Sequence, residues 1–183
     1  MSLGMGYEVA RPTGVCAFSG EPIEPGQAYV AALYEGGEQL ERRDYARVNW
    51  DHASRAGLFG YWAATMPEPD QAPNAFVSQG EIAELFIHLG EMMEAGGDEE
   101  PRQLTFRFIL ALMLMRKRWL RLSGTTRDAK GREVMRLSWA PIAKQGDEPV
   151  EVVDPGMDEG SVGDAIEQVG AVMGGVDRSE EGS

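Results

Sequence analysis

The sequence predicts an α+β protein, and three observations predict it. Residues 28–46 form two extended runs around a pair of glycines. Two stretches of helical apolar spacing follow, and after Trp119 the period returns to two. The expected order is a small β-rich, zinc-ribbon-like and metal-free N-terminal segment, two helices, a β-hairpin that grows into a three-stranded antiparallel sheet, and a C-terminal helix.

The β-rich segment spans residues 14–66, after a frayed N-terminus over 1–13. It begins with Cys16-x-x-Ser19-Gly20, where a zinc ribbon has Cys-x-x-Cys-Gly. Pro25-Gly26 sets the turn into the first strand, and Glu35-Gly36-Gly37-Glu38 marks a hairpin. Tyr29, Ala31 and Leu33 share one face of that strand; Val30, Ala32 and Tyr34 share the other. Trp50, Leu58, Phe59, Tyr61 and Trp62 supply apolar area for a small core. Three prolines and no periodicity make residues 67–76 a linker.

An α+β module over 77–174 comes next. Ser78 and Glu81 are spaced as a capping box, with Val77 and Ile82 placed as its hydrophobic staple. Ile82, Leu85, Phe86, Leu89 and Met93 continue the helix to Gly96-Gly97. Pro101 opens a second helix that is apolar all round from Phe108 to Met115, and is therefore expected to be the most buried. Arg116-Lys117-Arg118 at its end complement the helix dipole. Leu120 and Leu122 then share one face of a strand with Arg121 on the other. Asp128-Ala129-Lys130-Gly131 turns the chain, and Met135, Leu137 and Trp139 form the returning face. "EPVEVVDP" reads as a third strand. Ser161 is placed to cap a last helix with Val162, Ala165, Ile166, Val169 and Met173 on its stripe, and residues 175–183 read as a disordered tail.

Composition restricts the function classes. The longest apolar run, "FILALMLM", is shorter than the roughly 20 residues a membrane-spanning helix needs. The amino terminus lacks the basic start and apolar core of a secretion signal, so a cytoplasmic protein is expected. One Cys forbids an intramolecular disulfide. The net charge is −13, but residues 102–136 hold ten of the 17 Lys and Arg and only two of the 30 Asp and Glu, a local charge of +8. Such an island either meets a partner or is neutralised internally, here by an acidic strand containing Glu148, Glu151 and Asp154.

A structural zinc takes four ligands, mostly Cys and His, and the chain has only Cys16, His52 and His88. No metal and no cofactor are expected. Gly20 supplies the turn's backbone angle, Ser19 bonds locally, and Cys16 acts as a small buried hydrophobe. A Cys16–His52 nucleophilic dyad is the sharper alternative, but nothing in the sequence brings the two together. Arg42-Arg43-Asp44-Tyr45 combines an Arg–Asp fork with an aromatic; tying a hairpin to its neighbour is preferred to ligand binding. His88 sits at the border of the first helix's stripe. No phosphate loop, dinucleotide fingerprint or Ser-based elbow is present.

The Cys16-x-x-Ser19-Gly20 turn with Pro25-Gly26, Arg42-Arg43-Asp44-Tyr45, Trp50, Trp62, the segment "ALMLMRKRWLRL" and the Asp154-Pro155 turn together resemble an uncharacterised bacterial family of planctomycete type. The resemblance covers most of residues 14–173. It implies no activity and transfers no functional residue.

The expectation is therefore a non-enzymatic interaction or adaptor protein. Its docking surface is a basic hairpin bearing Arg116, Lys117, Arg118, Trp119, Arg121, Arg127, Lys130, Arg132 and Arg136, used on an acidic protein partner or on another copy of the chain. Cys16, Ser19, Gly20, Arg43, Asp44, Tyr45, Trp50 and Trp62 are assigned structural roles. The alternative is RNA or single-stranded nucleic-acid binding by the same hairpin, with Trp119 stacking on a base.

Overall fold

The apolar girdle of the second helix decides the architecture. In the computed structural model, which describes residues 14–36, 39–66, 68, 79–96 and 101–174, this helix is α2 (Pro101–Arg116). It buries Phe108, Ile109, Leu110, Ala111 and Leu114 on successive sides. A helix with no polar stripe must be covered from several directions. The cover comes from α1 (Gln79–Gly96), α3 (Glu159–Gly174) and two three-stranded antiparallel sheets. The chain is α+β, as its periodicities predict.

The first sheet has the order β2-β1-β3, from β1 (Ala28–Gly36), β2 (Gln39–Ala46) and β3 (Leu58–Thr65). In the sequence β3 shows only as a source of aromatic bulk. The second sheet has the order β4-β5-β6, from β4 (Leu120–Arg127), β5 (Glu133–Trp139) and β6 (Val150–Val153). One cluster of buried side chains runs from Leu33 and Phe59 through Phe86 and Leu110 to Leu137 and Val152. The β-rich segment and the α+β module thus share a core. Phe106 meets Phe59 edge-on at 5.2 Å, and Phe86 meets Trp139 at 5.8 Å. Gly60 lets α1 settle on β3: a Cβ there would lie 2.8 Å from Leu85 Cδ1.

Several local expectations are revised. The cap of α3 is Asp158: its carboxylate accepts the Ser161 N–H at 2.8 Å and the Ser161 hydroxyl at 3.0 Å. Ser161 is therefore the third residue of the helix rather than its cap, and three more orphan N–H groups favour an acid at that end. Leu122 is 51% exposed, although it points to the same side as buried Leu120. A bulge interrupts the ladder between Leu122 and Gly124, and β4 is an edge strand that runs past the helices. The capping-box residue Ser78, Val77 of the staple, the turn at Gly37-Glu38, most of the 67–76 linker, the segments 1–13 and 175–183 and the Met173 side chain lie outside the description.

β2 shows which arginine forms the fork with Asp44. Asp44 pairs with Arg42, whose Nε is 3.0 Å from Asp44 Oδ1, and both side chains are almost fully buried. Residues two apart share a face of a strand, so Arg43 cannot reach the same carboxylate. Arg42 and Asp44 lie opposite Leu33 and Ala31, and the Arg42 guanidinium sits 5.2 Å from the Trp62 ring centroid. Arg43 projects to the other face, 4.5 Å over Tyr34, with Nε 3.0 Å from exposed Glu41. There the Tyr34 hydroxyl donates to the Ser54 carbonyl at 2.8 Å and approaches that of Tyr45 at 3.3 Å.

Removing one member of a buried ion pair strands the other charge. Arg42→Ala is expected to cost about 3–5 kcal/mol, whereas losing a surface pair through Arg43→Ala costs about 1 kcal/mol or less. Urea denaturation of both variants checks this; equal losses would show that the Arg42–Asp44 pair carries no special weight.

Candidate functional site

The basic island divides once its side chains are placed. Arg102 binds Glu35 at 3.2 Å, bridging α2 to the end of β1. Arg107 lies 4.4 Å over the Phe86 ring and donates to the Glu151 carbonyl at 2.8 Å. Gly90 makes this passage possible, since a Cβ there would meet the guanidinium at 2.9 Å. At the hairpin turn Arg132 is bound to Asp128 at 2.7 Å, and its guanidinium holds that carboxyl below the usual range. Arg127 donates to the Gly131 carbonyl at 2.9 Å, and the Lys130 N–H bonds to Asp128 Oδ1 at 3.0 Å. Four of the ten cations in the +8 window, together with Asp128, are thus devoted to holding the fold. The assignment of Arg132 and Arg127 to a free docking surface is corrected accordingly, because a two-strand turn needs its carbonyls and carboxylate satisfied.

Six remain, of which Lys130 at the turn has an interaction of its own; the other five are Arg116, Lys117, Arg118, Arg121 and Arg136. All five are exposed, and among the described residues their side chains have no hydrogen-bond or ion-pair partner. Arg121 and Arg136 lie on one side of the sheet, since Arg121 is opposite Ser138 and Arg136 opposite Gly124. Glu151 stands beside Arg136 in the register of β5 with β6. The acidic strand does lie against the hairpin, yet Asp154 turns its carboxylate to the Gly156 N–H at 2.7 Å.

Arg118 occupies an unusual backbone state. Its φ is 62°, the left-handed region that glycine normally fills. Around it the Trp119 N–H donates to the Leu114 carbonyl at 2.9 Å and the Arg118 N–H to the Met115 carbonyl at 3.0 Å. These are the two bonds of a Schellman motif, in which α2 ends and β4 begins almost at once. Holding a residue that carries a Cβ at this angle costs about 1–2 kcal/mol. Glycine would be cheaper, and arginine adds a cation at the corner. No sequence signal marked this strain. Trp119 is half-buried against the core rather than presented as a free ring.

The knuckle forms a second, separate feature. Gly20, at φ 75°, donates to the Cys16 carbonyl at 2.8 Å, and Val15 bridges Pro22. What the structure shows of the ribbon-like expectation is this one turn, held to β2 by the Ala17 N–H on the Asp44 carbonyl at 2.8 Å. The Ser19 hydroxyl accepts the Glu21 N–H at 3.3 Å. The Cys16 thiol is 1% exposed, and Asn49 Nδ2 donates to its sulfur at 3.5 Å. Burial raises the thiol, but hydrogen bonds from the Ser19 main chain and hydroxyl, the Ala46 main chain and Asn49 outweigh it. They bring the thiol from 9.0 to about 7. His52, the base of the alternative dyad, stacks on Phe18 at 4.8 Å.

Behind the knuckle a 3₁₀ turn (Arg47–His52) packs Trp50 between Tyr45 and Tyr61, at 5.6 and 5.0 Å, with Arg55 4.2 Å above it. His88 extends the row: its ring stacks on Tyr61 at 4.1 Å, and Nδ1 is 3.1 Å from the Tyr61 carbonyl, which makes Nδ1 the protonated nitrogen. His88 therefore joins α1 to β3 and is more than a boundary residue. Tyr45 and Trp62 are buried in the core cluster, and Trp50 packs against it.

A thiol whose ionisation is favoured by the fold stabilises the native state progressively as pH rises. The stability of the wild type relative to Cys16→Ala is expected to increase between pH 7 and 9 and to lose that increment as pH falls through about 7. Urea titrations at several pH values read this directly, and parallel curves for the two proteins would contradict it.

No helix among the described residues is long and apolar enough to cross a membrane. No family model matches the chain, and neither a curated protein nor a solved structure matches it.

Proposed function

We propose that this is a non-enzymatic interaction protein, an adaptor that docks an acidic protein partner on the corner where α2 becomes β4. The observation that carries the reading is the set of five exposed cations, Arg116, Lys117, Arg118, Arg121 and Arg136, whose side chains make no internal ion pair among the described residues. Arg118 adds to it. A protein that keeps a cation in a glycine position accepts a stability cost where charge is useful. The residues from which a nucleophile and base would be assembled are separately engaged, Cys16 by Asn49 and His52 by Phe18.

Nucleic-acid binding is the weaker reading. Phosphate contacts would suit the same cations, but the half-buried Trp119 offers no open stacking platform, and a chain of net charge −13 repels a long polyanion.

Two variants test the proposal against a labelled glutamate-rich peptide at low salt. Arg118→Glu combined with Arg121→Glu is expected to weaken binding about tenfold or more, from lost attraction and new repulsion. Unchanged affinity would remove this corner from consideration. Arg118→Gly is expected to raise folding stability by about 1 kcal/mol while weakening peptide binding. A gain in stability with full binding would mean that the strained arginine has no docking role.

A further inference from the structure

We infer that the partner binds as an added strand: an extended acidic peptide of another protein pairs with the free edge of β4, its carboxylates meeting Arg118 and Arg121. This rests on the charge-docking reading and specifies its mode. β4 ends the order β4-β5-β6, so among the described residues one edge of it faces no strand. Beyond Leu120 none of its side chains is buried.

The direction of its main-chain groups follows from two hydrogen bonds. The Asp128 N–H donates to the Arg132 carbonyl at 3.0 Å. In an antiparallel ladder alternate residues bond inward, so Thr126 and Gly124 also face β5, while Thr125 and Arg127 point their N–H and C=O groups outward. The Ala140 N–H donates to the Trp119 carbonyl at 2.8 Å, which likewise turns Leu122 outward. The bulge at Ser123 absorbs the change of phase, and the Ser123 hydroxyl donates to the Arg136 carbonyl at 3.0 Å. Leu122, Thr125 and Arg127 thus offer a row of main-chain donors and acceptors. The half-exposed Leu122 side chain gives an apolar contact beside it.

Charge selects the occupant. Pairing of β4 with β4 of a second copy would gather Arg121 and Arg127 of both copies along one seam, so the strand disfavours itself. An acidic strand meets the same cations favourably. Strand addition takes its affinity from main-chain bonds and its specificity from alternate side chains. A polynucleotide has no such backbone ladder to offer.

The test uses the whole protein and a labelled peptide of alternating Glu and Val. Thr125→Pro deletes an outward N–H and leaves the inward ladder intact, so its melting temperature should stay near wild type while peptide affinity falls about tenfold. The same peptide N-methylated at alternate residues, in the two possible phases, should lose binding in one phase only. Should Thr125→Pro lower the melting temperature, the methylated peptides decide the question alone. If Thr125→Pro and both methylated peptides bind like the originals while the Arg118→Glu, Arg121→Glu variant does not, strand addition is overturned and charge docking stands. Failure of the wild type to bind the peptide at low salt overturns both, and binding of a single-stranded oligonucleotide in its place assigns the surface to nucleic acid.

Discussion

The constraint on which the rest depends is that α2 has no side fit for water. Phe108, Ile109, Leu110, Ala111 and Leu114 point around the full circumference of the helix, and each large one contributes about 1.5–3 kcal/mol only if it is covered. No single neighbouring element covers a whole cylinder. The two sheets, α1 and α3 are best understood as that cover. It explains why Phe59 of the first sheet and Leu137 of the second belong to one buried cluster although nearly eighty residues separate them. Arg107 shows the cost of the arrangement: a cation on this helix has to run along Phe86, past Gly90, to reach a carbonyl at the β6 edge.

The first sheet is locked by polar groups as well as by apolar ones. Buried Arg42 and Asp44 tie adjacent turns of one strand face under Trp62. The opposite face is sealed by the Tyr45–Trp50–Tyr61–His88 row and by the knuckle. Such a pair contributes little net stability compared with apolar residues of equal volume, but it tolerates few alternatives in register. Hydrogen bonds from Ser19 of the knuckle, Ala46 of β2 and Asn49 of the 3₁₀ turn gather on the Cys16 sulfur and favour its thiolate, while the protein around it keeps that sulfur from solvent.

Charge on the hairpin is sorted by where main-chain groups need partners. The tight turn at Asp128 draws in Arg132 through its carboxylate and Arg127 through the Gly131 carbonyl. The corner at Arg118 has no such demand, since the Schellman bonds are made by main chain alone. Its cations stay in water. Stability and display are thereby assigned to opposite ends of one hairpin, and the edge of β4 connects them.

Taken alone, the sequence determined the class of the fold and most of its elements. Period, proline and glycine are local quantities, and they placed α2 at Pro101, the β4–β5 turn at Asp128 and the buried face of α1. It also determined that cations concentrate between residues 102 and 136. Tertiary structure alone decided which of those cations are spent inside. Arg102 finds Glu35 and Arg107 finds Glu151 across gaps of 67 and 44 residues, which no periodicity encodes. It likewise decided that β3 completes the first sheet, that Arg42 rather than Arg43 holds Asp44, and that Leu122 stands in solvent. Each depends on which surface an element meets, a property of the packed molecule and not of the residue's neighbours along the chain.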